Sequence, residues 1–233
     1  CLDFRQFRHC AQVYVNVTPG TNGGGYSPVV YNRFPRVPVP GAREEEMYSI
    51  LRREDLTPTI HLLEVRAPRV ARKAQAGQFV ILHHGDEGER IPLTIGDWDR
   101  DAGTVTVVFM EVGTSTMKFA QLQAGDEVDD FVGPLGKPTE IENYGTVVCV
   151  AGGFAIATIV PIARALKAAG NRVVSIMGFR SRELVFWEER LGSFSDELIV
   201  TTDDGSYGRK GLVTEPLKQL LETRNIGRVI AIG

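Results

Sequence analysis

The order of hydrophobic and polar positions changes character near residue 143. Before that point, short segments alternate polar and apolar residues or are rich in β-branched residues, and turn residues separate them at intervals of about 8–12 residues. We assign strands to residues 47–54, 59–66, 78–84, 91–95, 104–111 and 129–132, and a short helix to residues 115–122. Many short strands separated by frequent turns predict a small antiparallel β-barrel.

After residue 143, apolar strands alternate with amphipathic helices. Strands are predicted over residues 146–151, 172–178, 197–202 and 228–232, and helices over 158–168, about 186–191 and 214–224. Strands this apolar are buried on both faces, so the pattern predicts a doubly wound parallel sheet. The predicted fold class is therefore a β-barrel followed by an α/β domain, covering residues 47–140 and 141–233.

The stretch over residues 146–166 combines an apolar strand, the adjacent glycines Gly152 and Gly153, and a helical pattern. A strand, a glycine turn and a helix present the N–H groups of the first helical turn to a phosphate. Because proline is tolerated only in that first turn, Pro161 predicts a helix that begins near Thr158. The alternative is a turn that only packs a buried strand against a helix.

The two ends of the chain differ from this patterned region. Residues 1–46 are rich in Gly, Pro, Asn and Tyr and show no sustained period, so we expect a poorly structured extension. Met47 is a hypothetical natural start. At the other end, a buried strand reaches Gly233 with no following element, from which we expect a C-terminally truncated chain.

Composition narrows the function classes. The chain has 233 residues and a net charge of −3, so it shows no basic signature for nucleic acid, and no apolar run approaches the length of a membrane span. Its three cysteines have no metal-site spacing, and a reducing, cytoplasmic setting fits best. Patterns typical of hydrolases and of Walker-type nucleotide sites are absent from the sequence.

Two motifs of the predicted barrel suit a flavin. The first is RIPLT at residues 90–94, where Arg90 could neutralise a pyrophosphate and Thr94 could meet the redox-active ring. Its alternative is an ordinary strand start with a solvated arginine. The second is VGTST at residues 112–116, whose glycine and hydroxyl groups suit a phosphate but equally suit capping of the helix that follows.

Two further motifs follow strands of the predicted parallel sheet. These are GFRS at residues 178–181 and TTDDGSYG at residues 201–208. Ligands of open α/β sheets bind at the carboxyl ends of the strands, where a basic residue or paired carboxylates can meet a ribose. The alternatives are a charged surface loop at the first motif and a simple Asp-Gly turn at the second.

Six motifs in this order resemble the ferredoxin–NADP⁺ reductase superfamily. The resemblance is greatest to electron-transfer subunits of heteromeric enzymes such as NADH-dependent ferredoxin:NADP⁺ oxidoreductase, sulfide dehydrogenase and dihydroorotate dehydrogenase. The motifs are RIPLT (90–94), GTST (113–116), GPLG (133–136), AGG (151–153), GFRS (178–181) and TDDGSYG (202–208).

The resemblance implies a flavoprotein that passes electrons from NAD(P)H through FAD to an iron–sulfur centre and a partner subunit. Thr94 would lie near the flavin ring, and no side chain would act as acid or base. The FAD contacts it implies are Arg90, Pro92, Leu93, Thr94, Gly113, Ser115 and Thr116. The NAD(P)H contacts it implies are Gly152, Gly153, Arg180, Asp203, Asp204 and Gly205.

Two departures from the family pattern qualify these expectations. Relatives often carry glycine where this chain has Ala155, whose methyl group could crowd a dinucleotide. The family's [2Fe–2S] ligands are absent from this sequence, so that cluster is expected only in a longer protein. Alternatives are a regulatory or structural subunit without turnover, or a free-standing NAD(P)H:flavin reductase. The choice between NADH and NADPH stays open.

Overall fold

The computed structural model describes residues 48–85 and 88–233. The N-terminal stretch for which little packed structure is expected lies outside these residues, as does Met47. The first seven strands form one antiparallel sheet. They are β1 (Tyr48–Thr57), β2 (Ile60–Arg66), β3 (Phe79–His83), β4 (Ile91–Asp99), β5 (Thr104–Met110), β6 (Glu127–Val128) and β7 (Asp130–Leu135).

This sheet curls into a nearly closed barrel. Its strand order is β6-β1-β2-β5-β4-β3-β7, so β6 and β7 lie at opposite edges although only Asp129 separates them in the chain. The two edges must therefore approach each other. Inward-facing side chains that include Leu63, Val107 and Phe109 are almost wholly buried and fill the interior. The predicted antiparallel barrel is confirmed.

Two helices complete the barrel. Helix α1 (Pro68–Lys73) was not predicted; it begins with proline, whose missing N–H would be unpaired there in any case, and buries Val70 and Ala71. Helix α2 (Thr114–Phe119) is shorter than the predicted helix and buries Phe119 against Phe109, with the ring centroids 6.2 Å apart.

The second sheet is wholly parallel. Its strands are β8 (Thr146–Gly152), β9 (Arg172–Phe179), β10 (Glu197–Thr202), β11 (Arg209–Lys210) and β12 (Arg228–Ile232), in the order β11-β10-β9-β8-β12. Helices α3 (Ile156–Ala168), α4 (Glu188–Gly192) and α5 (Thr214–Thr223) connect them. Two separate cores lie on its two faces, one around α3 and one around Leu220 of α5, so the doubly wound prediction is confirmed.

The predicted start of the long helix was wrong. A 3₁₀ turn over Gly153–Ala155 leads directly into α3 at Ile156, which leaves Pro161 inside the helix. An internal proline costs a helix about 3 kcal/mol. Here the first two turns of α3 are buried on all sides, and the carbonyl that Pro161 leaves without its helical donor, that of Ala157, lies against Gly96 of β4. Packing overrides the local preference.

Helix α3 lies between the two sheets. Its Ile159 and Ala163 share one core with Leu62 and Val108 of the barrel and with Val147 of the parallel sheet. The first two turns of α3 are apolar on every face because they are buried on all sides, and charged residues enter the helix only at Arg164 and Lys167. Within residues 48–85 and 88–233, no helix is long and apolar enough to cross a membrane.

Candidate functional site

The order in which the chain adds strands to the parallel sheet reverses beside β8. The chain passes from β8 to β9 and β10 on one side, and later returns to add β12 on the other side. Crevices at the carboxyl ends of strands flanking such a switch point are the usual ligand sites of open α/β sheets. Gly152 ends β8 here, and a Cβ atom added to Gly233, just after β12, would lie 3.7 Å from the Gly152 nitrogen.

Gly152 and Gly153 leave open space beside the backbone. A Cβ atom added to either glycine would meet no other atom within 4 Å, and Gly153 has a φ of +55° that favours glycine. A ligand can therefore approach the first N–H groups of the turn that leads into α3. Ala155 is only 5% exposed and belongs to the core around α3, so its burial removes the reason to expect crowding by its methyl group.

The loops after β9 and β10 are joined by backbone hydrogen bonds. The N–H of Asp203 donates to the carbonyl of Phe179 at 3.0 Å, and the N–H of Asp204 donates to that of Arg180 at 3.2 Å. The structure therefore brings Arg180 and the Asp203–Gly205 turn together, as the sequence suggested. Arg180 and Asp203 are both exposed, so each can meet a ligand.

Asp204 is engaged within its own loop. Its carboxylate accepts from the Ser206 hydroxyl at 2.7 Å and from the Ser206 N–H at 2.9 Å, and these bonds lower the pKa of Asp204. Gly205 has a φ of +78°, which closes the turn. Of the two carboxylates predicted to meet a nucleotide, Asp204 shapes the loop and Asp203 is the more available.

Sequence reasoning included Tyr207 in the motif at residues 201–208 without giving it a contact, and it did not place Glu188 at this site. The Tyr207 hydroxyl donates to Glu188 at 3.2 Å, and this bond raises the pKa of Tyr207. The Arg182 guanidinium lies 5.4 Å from the centre of the Tyr207 ring. Arg182 is thus held on an aromatic face, whereas Arg180 forms no ion pair within the described part of the chain. Arg180 is the available cation of this loop.

On the barrel, β4 carries residues 91–94 of the RIPLT motif, and Arg90 immediately precedes the strand. Arg90 is 48% exposed at its side chain, and its Nη2 atom lies 2.5 Å from a carboxylate oxygen of Asp130. Pro92 and Thr94 share one face of the strand, because alternate residues point the same way. Leu93 faces the other way and packs, partly buried, against the barrel core.

The start of α2 lies beside the segment that enters β4. The Ser115 hydroxyl accepts from the N–H of Glu89 at 3.3 Å, which places Ser115 near Arg90. Thr116 caps the helix: its hydroxyl accepts from the Gly113 N–H at 3.0 Å and donates to the Gly113 carbonyl at 2.9 Å. A Cβ atom on Gly113 would meet nothing within 4 Å. Capping therefore uses Thr116, while Gly113 leaves open space.

Strand β4 and helix α3 connect the candidate residues of the barrel with those of the parallel sheet. Strand β4 carries Thr94 and then Gly96, which packs against the start of α3, and α3 follows the turn at Gly152 and Gly153. Within residues 48–85 and 88–233, no group of three or more His, Cys, Asp and Glu side chains could hold a metal ion.

Comparisons with known proteins bear on the family and the fold of the chain. No family model matches the chain. It is 43% identical over 185 residues to a protein of Clostridium beijerinckii described as an uncharacterized protein in the adh 3′ region, covering 76% of this chain and 62% of that protein. It is 42% identical over 169 residues to a dihydroorotate dehydrogenase B (NAD⁺) electron transfer subunit homolog of Thermotoga maritima, covering 72% and 60%.

A solved structure extends the similarity to three dimensions. A chain of NADH-dependent reduced ferredoxin–NADP oxidoreductase, from a study of flavin-based electron bifurcation, superimposes with a TM-score of 0.74 at 36% identity. The match covers 80% of this chain and 68% of that one. By contrast, the chain spans less than two thirds of the length of the two curated relatives.

Proposed function

Because this chain belongs to the ferredoxin reductase-like family, we propose that it is a flavoprotein with FAD as its cofactor. In this proposal it passes electrons from NAD(P)H through FAD to an iron–sulfur acceptor. The observation that carries the proposal is the open backbone at Gly152 and Gly153, at the switch point of the parallel sheet. This turn leads into α3, which packs against the barrel strand that bears Thr94.

The barrel offers a fitting set of FAD contacts. The half-exposed Arg90 would neutralise the pyrophosphate, and the open space at Gly113 with the neighbouring Ser115 and Thr116 would admit it. Thr94 would lie near the flavin ring, with Pro92 and the backbone of Leu93 beside it. When bound, FAD would supply the conversion of a hydride into single electrons.

The parallel sheet offers the nucleotide contacts. Gly152 and Gly153 would let the dinucleotide pyrophosphate approach the first turn of α3, and Arg180 and Asp203 would meet its sugar or phosphate groups. Asp204 and Gly205 would hold the shape of that loop. In this proposal the protein positions cofactors and adjusts charge, and no side chain acts as acid or base.

We also propose the domain limits, the acceptor and the partner subunit from the same family membership. We place an FAD domain at residues 47–140 and a nucleotide domain at residues 141–233, which agrees with the gap between β7 and β8. We assign the [2Fe–2S] acceptor to sequence or a subunit outside the described residues. The partner would be a second flavoprotein or iron–sulfur subunit in the cytoplasm, by analogy with the relatives named as electron transfer subunit and ferredoxin–NADP oxidoreductase.

A spectroscopic experiment tests the proposal. Purified protein, incubated with FAD and desalted, should retain a visible flavin spectrum, and anaerobic NADH or NADPH should bleach it. Protein that retains no flavin would contradict the proposal. Flavin that binds but is reduced by neither nucleotide would instead favour a non-catalytic subunit, and parallel titrations with the two nucleotides would decide which one is used.

A further inference from the structure

We propose that Asp97 is a positioning residue that holds the barrel and the α/β domain in one orientation and thereby sets the spacing between the two cofactors. This inference rests on the proposed function, because it concerns the hydride transfer that the two cofactors would carry out. It adds a residue that belongs to none of the six family motifs.

Asp97 joins the barrel sheet to two helices of the α/β domain through both of its carboxylate oxygens. It lies on β4, and its Oδ1 atom accepts from Nη1 of Arg164 on α3 at 2.7 Å. Its Oδ2 atom accepts from Nη2 of Arg190 on α4. The Asp97 side chain is only 18% exposed, so water screens these ion pairs less than it screens pairs on an open surface. We call Asp97, Arg164 and Arg190 the inter-sheet clamp.

Aromatic rings support the two arginines of the inter-sheet clamp. The Arg164 guanidinium lies 5.0 Å from the centre of the Trp98 ring, and the Arg190 guanidinium lies 4.3 Å from that of Trp187. Stacking on a ring fixes the plane of a guanidinium and adds a cation–π attraction. The clamp is therefore built from oriented groups rather than from mobile surface side chains.

Trp187 itself is held in an unfavourable backbone conformation. Its φ is +57°, which is rare for a bulky residue and costs about 1–3 kcal/mol. The ring lies close to β4: a Cβ atom added to Gly96 would come within 3.6 Å of its Cη2 atom. Such a conformation persists only where surrounding contacts enforce it, and here those contacts include the barrel strand, Arg190 and the Phe186 ring.

The clamp acts on the two elements that carry the proposed cofactor contacts. Asp97 lies three residues after Thr94 on β4, and Arg164 lies on the helix that begins after Gly152 and Gly153. Hydride transfer needs the reacting atoms about 3–3.5 Å apart, and a displacement of about 1 Å can cost roughly 100-fold in rate. A shift between β4 and α3 would therefore slow the transfer while leaving FAD contacts within the barrel intact.

The central variant is Asp97→Asn, which keeps the size of the side chain and removes its charge. Two facing guanidinium groups would then lack their shared counter-ion. We expect the rate constant for flavin reduction at saturating NADH or NADPH, measured by anaerobic stopped flow, to fall about 10- to 100-fold. The Kd for FAD should stay within about twofold of the wild-type value, because the FAD contacts lie within the barrel.

The matched control is Asp99→Asn. Asp99 lies on the same strand and also has a hydrogen-bonded carboxylate, but its partners are the N–H groups of Asp101 and Ala102 in its own turn. This variant should reduce its flavin at the wild-type rate. An Asp97→Asn variant that also reduces flavin at the wild-type rate, or that loses FAD affinity in proportion to rate, would overturn the inference.

Tryptophan fluorescence provides a readout that needs no cofactor. The chain has two tryptophans, Trp98 and Trp187, and both contact arginines of the inter-sheet clamp. We expect Asp97→Asn to change the emission spectrum of the flavin-free protein and Asp99→Asn to leave it unchanged. If the wild type binds no FAD, the proposed function fails, while the fluorescence result still shows whether Asp97 holds this interface.

Arg190→Gln keeps the inference testable if Asp97→Asn does not fold. It removes one arm of the clamp and leaves Asp97 paired with Arg164, so we expect a folded protein with a smaller loss of reduction rate. Circular dichroism would establish folding for each variant before the kinetics. If Arg190→Gln also fails to fold, Asp97 and its partners are structural residues and the positioning role is wrong.

Discussion

The Nε2 atom of His61 lies 2.6 Å from the carboxylate of Glu111, within the barrel. Its Nδ1 atom lies 2.5 Å from the carboxylate of Asp55, and the imidazole is only 4% exposed. The ring of His61 therefore bridges two carboxylates, one at each of its nitrogens. Arg53, beside this ring, donates to the carbonyl of Ala120 at the end of α2. Because Glu111 lies just before α2, this network holds both ends of the helix.

Replacing His61 with Gln should therefore destabilise the protein and weaken FAD binding. Glutamine cannot bridge two carboxylates with charge-assisted bonds, so we expect the free energy of unfolding to fall by about 1–3 kcal/mol. Urea denaturation followed by circular dichroism would measure it, and a titration with FAD would measure the Kd. Glu64→Gln is a suitable control, because among the residues that the structure describes Glu64 pairs only with the exposed Arg52 on the barrel surface. Equal effects of the two substitutions would contradict a special role for His61.

The same network makes part of the free energy of unfolding depend on pH. The hydrogen bond from His61 holds the pKa of Asp55 below its usual range. A group whose pKa is lowered by folding contributes stability above its unfolded pKa and loses that contribution as pH falls through the folded pKa. The difference in unfolding free energy between wild type and Asp55→Asn should thus be constant above about pH 5 and shrink as the pH falls below about 4, the usual pKa of an aspartate. A difference that grows towards low pH would contradict this assignment.

Much of the fold could be predicted because its signals are local. Alternation over β2 and β5, and the apolar runs of β8 and β9, fix strand type within a few residues. The start of α3 could not be predicted in this way, since the burial of its first two turns between two sheets outweighs the cost of Pro161. The two-residue strand β6 carries too little pattern to be recognised, and pairing with β1 defines it.

The candidate site and the networks around it also contain features with a local sequence signal and features without one. The glycine turn at Gly152 and Gly153 has a recognisable local sequence. Asp97 and Arg190 are 93 residues apart, and His61 and Glu111 are 50 apart, so no spacing rule connects them. The packing of the two sheets brings such pairs together. In the sequence alone, each member cannot be distinguished from an ordinary surface charge.

Arg90→Gln should lower FAD affinity with little effect on folding. Losing a charge-assisted contact to a phosphate costs about 1.5–3 kcal/mol, which corresponds to roughly a 10- to 100-fold higher Kd for FAD. Arg52→Gln is a matched control, since its side chain is 47% exposed and also forms ion pairs on the barrel. Unchanged FAD affinity in Arg90→Gln would remove Arg90 from the proposed site.

Asp130→Asn tests the acidic member of the Arg90–Asp130 ion pair. Asp130 holds the Arg90 guanidinium at 2.5 Å, so it competes with any phosphate for the same donors. Removing its charge should leave FAD affinity unchanged or increase it. A loss of affinity as large as that of Arg90→Gln would show instead that Asp130 is needed to orient the arginine.

Gly152→Ala and Gly113→Ala form a reciprocal pair of substitutions. Neither glycine has a positive φ, and a Cβ atom at either position meets no other atom within 4 Å, so both variants should fold with near wild-type stability. Each methyl group would nevertheless occupy the space that a cofactor backbone is proposed to approach. We expect Gly152→Ala to raise the Kd for NADH or NADPH while leaving FAD binding intact, and Gly113→Ala to do the reverse. Titrations of both ligands against both variants would check this, and a variant that affects both ligands equally would contradict two separate sites.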